Sequence, residues 1–145
     1  MGAFKGTVIQ IGVGGFGRTW VNRFAQQTGK YHVTDLVDVS EEALQQAAAN
    51  LGVPGGHCWT NPEEALRATE AELAVIVTPP ALHHDHTIRA LEAGKHVILA
   101  KPMAPTWPEC LDMVTAARRA ERVFAIEQNY RYYPWVRTIR HLLDS

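Results

Sequence analysis

The glycine-rich stretch from Gly12 to Gly17, GVGGFG, constrains the fold of this chain more than any other feature. It follows an apolar run, Thr7 to Ile11, whose length and composition predict a short buried strand. It precedes the segment from Arg18 to Gln27, where apolar residues recur at helical spacing. The sequence therefore predicts a strand, a tight glycine turn and a helix in direct succession.

Three glycines of this turn each have a physical reason to lack a side chain. Gly12 permits the tight turn, Gly14 leaves room for a pyrophosphate, and Gly17 lets the helix pack closely on the strand. Phosphates would meet the helix N-terminus, where unpaired N–H groups and the helix dipole favour anions. Two alternatives stay open, because glycine turns also serve as plain strand-to-helix connections and methyltransferases use a related loop for S-adenosylmethionine.

An acidic residue follows the next predicted strand. The apolar segment from Val33 to Val37 ends at Asp38, about 20 residues beyond Gly17. At this spacing a carboxylate reaches the hydroxyls of the adenosine ribose, although Asp38 is alternatively a polar residue that merely ends a strand. A carboxylate would repel a 2′-phosphate, so Asp38 predicts NAD. Arg18 follows the third glycine and keeps NADP possible, because its charge could neutralise a phosphate.

Strand and helix patterns alternate along the whole chain. This alternation predicts an α/β fold, namely a doubly wound parallel sheet of the Rossmann type in a single domain, with ligands at the carboxyl ends of the strands. Helix caps are predicted at Ser40, Gly52, Asn61 and Gly94, and a capping box at Thr106 to Glu109. The predicted strands lie at 7–11, 33–37, 57–59, 73–77, 96–99 and 123–126, and the predicted helices at 18–27, 43–51, 81–93 and 106–120, after Asn61, and after Pro134.

Charge and cysteine content argue against several functional classes. Fourteen basic and 15 acidic residues give a net charge of −1, without the basic stripe typical of nucleic-acid binding. No apolar run approaches the roughly 20 residues that span a bilayer, and Met1 to Lys5 lead into the first strand without a signal-peptide core. Cys58 and Cys110 form no disulfide or zinc pattern, which predicts a cytoplasmic location. The cluster at 83–86, HHDH, lacks metal-ligand spacing, so no metal site is predicted.

Several motifs occur together in one order: GVGGFGR, the aspartate Asp38, TPPALHHDH, EAGKHVILAKP and QNYRYYP. In this combination nearly the whole chain resembles the N-terminal half of the oxidoreductases related to glucose-fructose oxidoreductase, inositol dehydrogenase and MocA, the Gfo/Idh/MocA family. The resemblance implies an NAD(P)-binding Rossmann domain at 1–133 and a helix at 134–145 that leads toward a substrate domain. It also implies hydride transfer between a nicotinamide cofactor and a hydroxyl-bearing carbon of a sugar or polyol.

The resemblance assigns roles to individual residues. It implies that the pyrophosphate lies on the glycine turn, the adenosine ribose on Asp38, and the nicotinamide end of the dinucleotide along residues that follow later strands. Lys101 matches the lysine of the family's Glu-Lys-Pro motif and is the implied catalytic residue. The residues implied to bind the cofactor are Gly12, Gly14, Gly15, Phe16, Gly17, Arg18, Asp38, Thr78, Pro79, Pro80, His83, Lys101, Pro102, Asn129 and Arg131.

Two departures from the family leave an alternative function open. Ala100 stands where the family usually has glutamate, so a carboxylate that could position Lys101 is missing. The sequence also ends where the substrate domain would begin, so that domain is expected to be absent and the chain alone to be inactive. The alternative is a non-catalytic dinucleotide-binding or regulatory module. Tyr132, Tyr133 and Trp135 are expected at the surface that a second domain would cover, and a homo-oligomer is compatible with the sequence.

Overall fold

One parallel sheet organises the protein. The computed structural model describes residues 6–26, 29 and 31–144, so Met1 to Lys5 and the predicted helix end at Gln27 lie outside the described residues. Within that part of the chain the sheet has six strands in the order β3-β2-β1-β4-β5-β6, all parallel. The strands are β1 (Thr7–Ile11), β2 (His32–Val37), β3 (Cys58–Trp59), β4 (Leu73–Ile76), β5 (His96–Ala100) and β6 (Phe124–Glu127).

Helices connect successive strands, which confirms the doubly wound α/β prediction. A short 3-10 turn, Pro80–Leu82, replaces the predicted first residues of the helix that follows β4. Two other short 3-10 turns, Gly55–His57 and Asn129–Tyr132, precede β3 and follow β6. The helices are α1 (Gly17–Gln26), α2 (Glu41–Leu51), α3 (Pro62–Ala68), α4 (His83–Glu92), α5 (Trp107–Arg119) and α6 (Pro134–Leu143).

The helices bury both faces of the sheet. Alternate residues of β1 separate into two clusters, because successive side chains of a strand point to opposite faces. Val8 packs in one cluster with Val21 of α1 and Leu44 of α2. Ile9 packs in the other with residues of α3, α4 and α5, among them Leu66, Leu91 and Met113. Each such aliphatic side chain contributes about 1.5–3 kcal/mol by burial, which explains why β4 is apolar throughout and why Val8, Ile9 and Ile11 of β1 are apolar.

Four of the five predicted helix caps are confirmed, whereas α4 has its C-cap at Ala93, one residue before the predicted Gly94, which follows at φ +74°. Ser40 Oγ accepts a hydrogen bond from the N–H of Ala43, and the side chain of Asn61 accepts from the first turn of α3. Thr106 and Glu109 form a reciprocal capping box at the start of α5. Gly52 ends α2 in the left-handed conformation. Helix boundaries were therefore predictable from local chemistry.

A buried polar network fastens the short strand β3 to β2. Asp35, 2% exposed, accepts hydrogen bonds from Thr69 Oγ1 at 2.6 Å and from Trp59 Nε1 at 3.1 Å, and its Oδ1 lies 3.0 Å from His57 Nδ1. Burial alone would raise the pKa of Asp35, yet these hydrogen bonds outweigh it and hold the pKa below its ordinary value. Lys95 Nζ, also buried, donates to the carbonyl of Thr69 at 2.8 Å. The network matters for the site because β3 also holds Asp38, the residue that directly follows β2. The N–H of Asp38 donates a hydrogen bond to the carbonyl oxygen of Trp59.

We expect Asp35→Asn to lower the free energy of unfolding at pH 7 by about 1–3 kcal/mol, because a charged acceptor in a buried network is lost. A depressed pKa contributes stability that is present above the unfolded value and is lost as the pH falls through the folded value. The difference between wild type and variant should therefore shrink below about pH 4. Denaturant unfolding across pH measures this, with Asp112→Asn, at an exposed carboxylate, as control. A pH-independent difference would contradict the assignment.

Candidate functional site

The glycine turn brings β1, α1 and the end of β4 into direct contact. Gly12 has φ +88°, and a Cβ placed there would overlap the carbonyl of Val77. A Cβ on Gly17 would overlap the carbonyl of Gly12. These positions accept only glycine for reasons internal to the fold, as the sequence predicted for both.

Gly14 differs from its two neighbours. A Cβ there would lie 3.4 Å from Asp38 Oδ2 and 3.7 Å from Ala43 Cβ, which are ordinary contacts, and its φ is not positive. The protein itself therefore tolerates a side chain at Gly14. Its lack of one is explained if a ligand approaches the backbone at this point.

The backbone amides of the turn form an anion-binding cradle. The N–H groups of Val13 and Gly14 each donate to Asp38 Oδ2 over 2.9 Å. The next three N–H groups, those of Gly15, Phe16 and Gly17, donate to no other residue in the described part of the chain. Free N–H groups at the start of a helix suit a phosphate, so the turn fits a pyrophosphate.

Gln10, which was not predicted as a site residue, holds the turn from below. It is fully buried in β1, and its Nε2 donates to the carbonyls of Gly12 at 3.0 Å and Gly17 at 2.9 Å. One side chain therefore ties the first and last glycine of the turn together. The available signal was an amide within an otherwise apolar buried run.

A cleft of about 560 Å³ opens beside the turn at the carboxyl edge of the sheet. Most of its lining is apolar, and among the described residues that line it Asp38 is the one charged side chain apart from the titratable His86. Asp38 thus lies in the cleft while also bonded to the turn and, through Oδ1, to the N–H of Ser40 at 3.0 Å. The lining residues are Ile11, Gly12, Gly14, Gly15, Phe16, Val37, Asp38, Val39, Thr60, Pro62, Val77, Thr78, Pro79, Leu82 and His86.

His83 lies inside the protein, whereas the resemblance implied a place along the dinucleotide. It is 1% exposed and does not line the cleft. Its Nδ1 lies 2.8 Å from the carbonyl oxygen of Pro102, and its Nε2 lies 2.7 Å from the carbonyl oxygen of Thr78. Both ring nitrogens thus face acceptors from two different strand ends. His83 links the loop after β4 to the loop after β5, where Lys101 lies.

Lys101 follows β5 directly and is exposed, without a hydrogen bond or ion pair to any residue in the described part of the chain. The preceding Ala100 is buried and pairs in register with Glu127 of β6. Glu127 Oε2 is buried and lacks a hydrogen-bond partner among the described residues. A carboxylate therefore occurs on the strand next to Ala100, although none occurs at Ala100 itself.

The remaining predicted residues lie outside the cleft. Arg18 lines a separate pocket between α1 and α2 and does not line the cleft. Arg131 lines a surface groove together with Arg137 and Arg140 of α6. Pro80, Pro102 and Asn129 are likewise not among the cleft residues.

Two features are absent from the described residues. These residues contain no group of three or more His, Cys, Asp or Glu side chains placed to hold a metal ion. Their helices also lack the combination of length and apolar character that crossing a bilayer requires.

The family model of the Gfo/Idh/MocA oxidoreductases, described as an oxidoreductase family with an NAD-binding Rossmann fold, matches residues 7–128. The chain belongs to this family. It therefore carries an NAD-binding Rossmann domain, which agrees with the glycine turn, the amide cradle and the position of Asp38 at the end of β2.

Two relatives act on sugars or polyols, according to their names. D-glucoside 3-dehydrogenase from Escherichia coli is 33% identical over 99 residues, which is 68% of this chain and 28% of that protein. Inositol 2-dehydrogenase from Corynebacterium glutamicum is 26% identical over 137 residues, which is 93% of this chain and 40% of that protein. The chain thus spans less than half the length of these relatives.

A solved structure has nearly the same fold over this chain. The WlbA dehydrogenase from Bordetella pertussis, solved with NADH and UDP-GlcNAcA, gives a TM-score of 0.89 at 25% identity. The match covers 97% of this chain and 42% of that protein. The Rossmann domain of this chain is therefore shared with structures that extend well beyond it.

We expect Gly14→Ala to fold normally but to bind NADH more than about tenfold more weakly, because the methyl group occupies space that the pyrophosphate needs. Gly12→Ala should instead lower the free energy of unfolding by about 1–3 kcal/mol or more, since its methyl group meets Val77 O at positive φ. Thermal melts and calorimetric titration of both variants separate these effects. A folded Gly14→Ala protein with wild-type affinity would remove the turn from the phosphate site.

Proposed function

We propose that this chain is the cofactor-binding part of an oxidoreductase that transfers hydride between NAD and a hydroxyl-bearing carbon of a sugar or polyol. The observation that carries the proposal is the arrangement at one sheet edge, where the amide cradle follows β1, Asp38 follows the neighbouring β2, and the exposed Lys101 follows β5, two strands from β1 on its other side. The names of the relatives support the substrate class. Bound NAD would supply the hydride acceptor, and the protein's own groups would bind, orient and exchange protons.

The glycine turn and Asp38 would bind different parts of the cofactor. The N–H groups of Gly15, Phe16 and Gly17 would donate to the pyrophosphate, where the start of α1 adds a favourable dipole. Asp38 would accept hydrogen bonds from the adenosine ribose. Because Asp38 already bonds Val13 and Gly14, its carboxylate is oriented before the ribose arrives.

The charges of the cleft favour NAD over NADP. Asp38 would repel a 2′-phosphate, and the described lining contains no lysine or arginine to offset that repulsion. Arg18, the cation that kept NADP possible, lines the pocket between α1 and α2. Val39 follows Asp38 directly, lines the cleft and is 89% exposed. A positively charged side chain at this position would lie beside the ribose site.

Calorimetric titration should therefore show NADH bound at least about tenfold more tightly than NADPH. Val39→Arg should narrow this preference by adding a charge beside the ribose site, without touching the turn. Arg18→Gln serves as the matched control and should leave the preference unchanged. Equal or tighter binding of NADPH by the wild type would refute the role of Asp38.

Lys101 is proposed as the catalytic residue. A lysine that follows a buried parallel strand emerges at the edge where ligands bind in open α/β sheets. There it would orient the substrate hydroxyl or assist the transfer of its proton. His83 supports this region, since its contact with Pro102 O holds the peptide unit that follows Pro102, one residue beyond Lys101.

The 145-residue chain should bind NADH but produce none from NAD and polyols, because hydride transfer needs a substrate held in a dry, closed site. Lys101→Met should leave the NADH affinity within about threefold of wild type. In a two-domain protein containing these residues, the same change should lower kcat about 100-fold or more. Robust polyol-dependent NADH production by the chain alone, or a two-domain enzyme indifferent to Lys101→Met, would contradict the proposal.

We also propose a reducing, cytoplasmic location. Cys58 and Cys110 are both free thiols in the structure. Their state is ordinary for proteins of reducing compartments.

A further inference from the structure

One polar side chain in the cleft has an unused hydrogen-bonding atom. His86, in the first turn of α4, is 8% exposed and lines the cleft. Its Nδ1 lies 3.2 Å from Thr78 Oγ1, and its Nε2 has no hydrogen-bond partner among the residues that the structure describes. The neighbouring wall, Pro79 and Leu82, is apolar. Nε2 is not among the fully buried unpaired atoms of the described residues, so this edge of the ring remains accessible to a ligand that enters the cleft.

The lining of the cleft indicates which half of the cofactor meets His86. Asp38 follows β2, and Thr60 and Pro62 follow β3, so one wall of the cleft lies on the side of the adenosine ribose. Lys101, which follows β5 and is proposed to face the nicotinamide, is not part of the lining. The cleft therefore suits the adenine base. Asp38, after β2, lies on one wall of the cleft, and His86, on the helix that follows β4, lies on the opposite wall.

The protonation state of His86 suits recognition of a neutral base. Burial lowers the pKa of His86 below its ordinary value; of its charged neighbours, Asp85 opposes this shift, and His83 and Arg89 add to it. At neutral pH the ring is therefore uncharged and carries one donor and one acceptor. Adenine presents both acceptor ring nitrogens and a donor amino group, so either tautomer of the imidazole finds a complement.

We propose that His86 recognises the adenine base of the cofactor through Nε2, with Thr78 holding the imidazole ring in place. The inference rests on the NAD site described above and adds a base-reading contact to it. It also explains one histidine of the HHDH cluster. His86 turns toward the cleft, whereas His84 turns away and bonds Asp112 of α5 over 2.8 Å.

Calorimetric titration with two ligands tests the proposal. ADP-ribose contains the adenosine half without the nicotinamide, and NADH contains both. His86→Leu should weaken both ligands by the same factor, about threefold to tenfold, which corresponds to one hydrogen bond. His84→Leu, on the same helix but facing α5, is the matched control and should stay within about twofold of wild type for both ligands.

The possible results separate this inference from the function on which it rests. A His86→Leu protein with wild-type affinity for both ligands would reject the inference alone, and so would a loss confined to NADH, which would move the contact to the nicotinamide half. A wild type that binds neither ligand would reject the cofactor site itself.

A measurement on the wild-type protein avoids any effect of the substitution on folding. Nitrogen NMR of the histidine rings should show the Nε2 resonance of His86 moving when ADP-ribose is added and staying in place when ribose 5-phosphate is added. An unmoved Nε2 resonance at saturating ADP-ribose would overturn the proposal.

Discussion

The close approach of three backbone segments at the glycine turn is the constraint on which the rest of the structure depends. Gly12 fits against Val77 O only because it has no Cβ, and Gly17 fits against Gly12 O for the same reason. These contacts bring α1 down onto β1 and β4 so that its first N–H groups point at the cleft edge. Gln10 then secures the arrangement with two hydrogen bonds to the glycine carbonyls. The cradle, the cleft and the orientation of Asp38 all follow from this packing.

Most of the fold could be predicted because its signals are local. Runs such as Leu73 to Val77 read as strands since both faces of a parallel sheet are covered, and Ser40, Asn61 and Thr106 mark helix starts through their own side chains. The turn and Asp38 were predictable because their spacing is fixed by the size of a dinucleotide. The membership of residues 7–128 in the family confirms the resemblance drawn from the motifs.

The details of the site depend on contacts between distant strand ends, which periodicity does not encode. The positions of His83 and His86 in one helix turn gave no indication that His83 would meet Pro102 O while His86 would line the cleft. Arg131 is predicted as a site residue from its place in a motif, and in the structure it lines a groove with α6. The role of Gln10 was not predictable from the sequence, because it depends on the carbonyls that the buried amide reaches in the folded protein.

The contact between Gly12 and Val77 O has a consequence for the order of folding. Strands β1 and β2 are close in sequence, but β1 pairs with β4 through partners such as Val8 and Leu73, far apart along the chain. Non-local pairing of this kind is slow, because a long loop must close before its contacts form. Val77 O, against which Gly12 packs, therefore reaches its place only when β4 pairs with β1. A nascent chain that ends before β4 would contain the glycine-rich sequence but not the folded turn. Affinity for the dinucleotide should therefore arise late in folding, in one cooperative step.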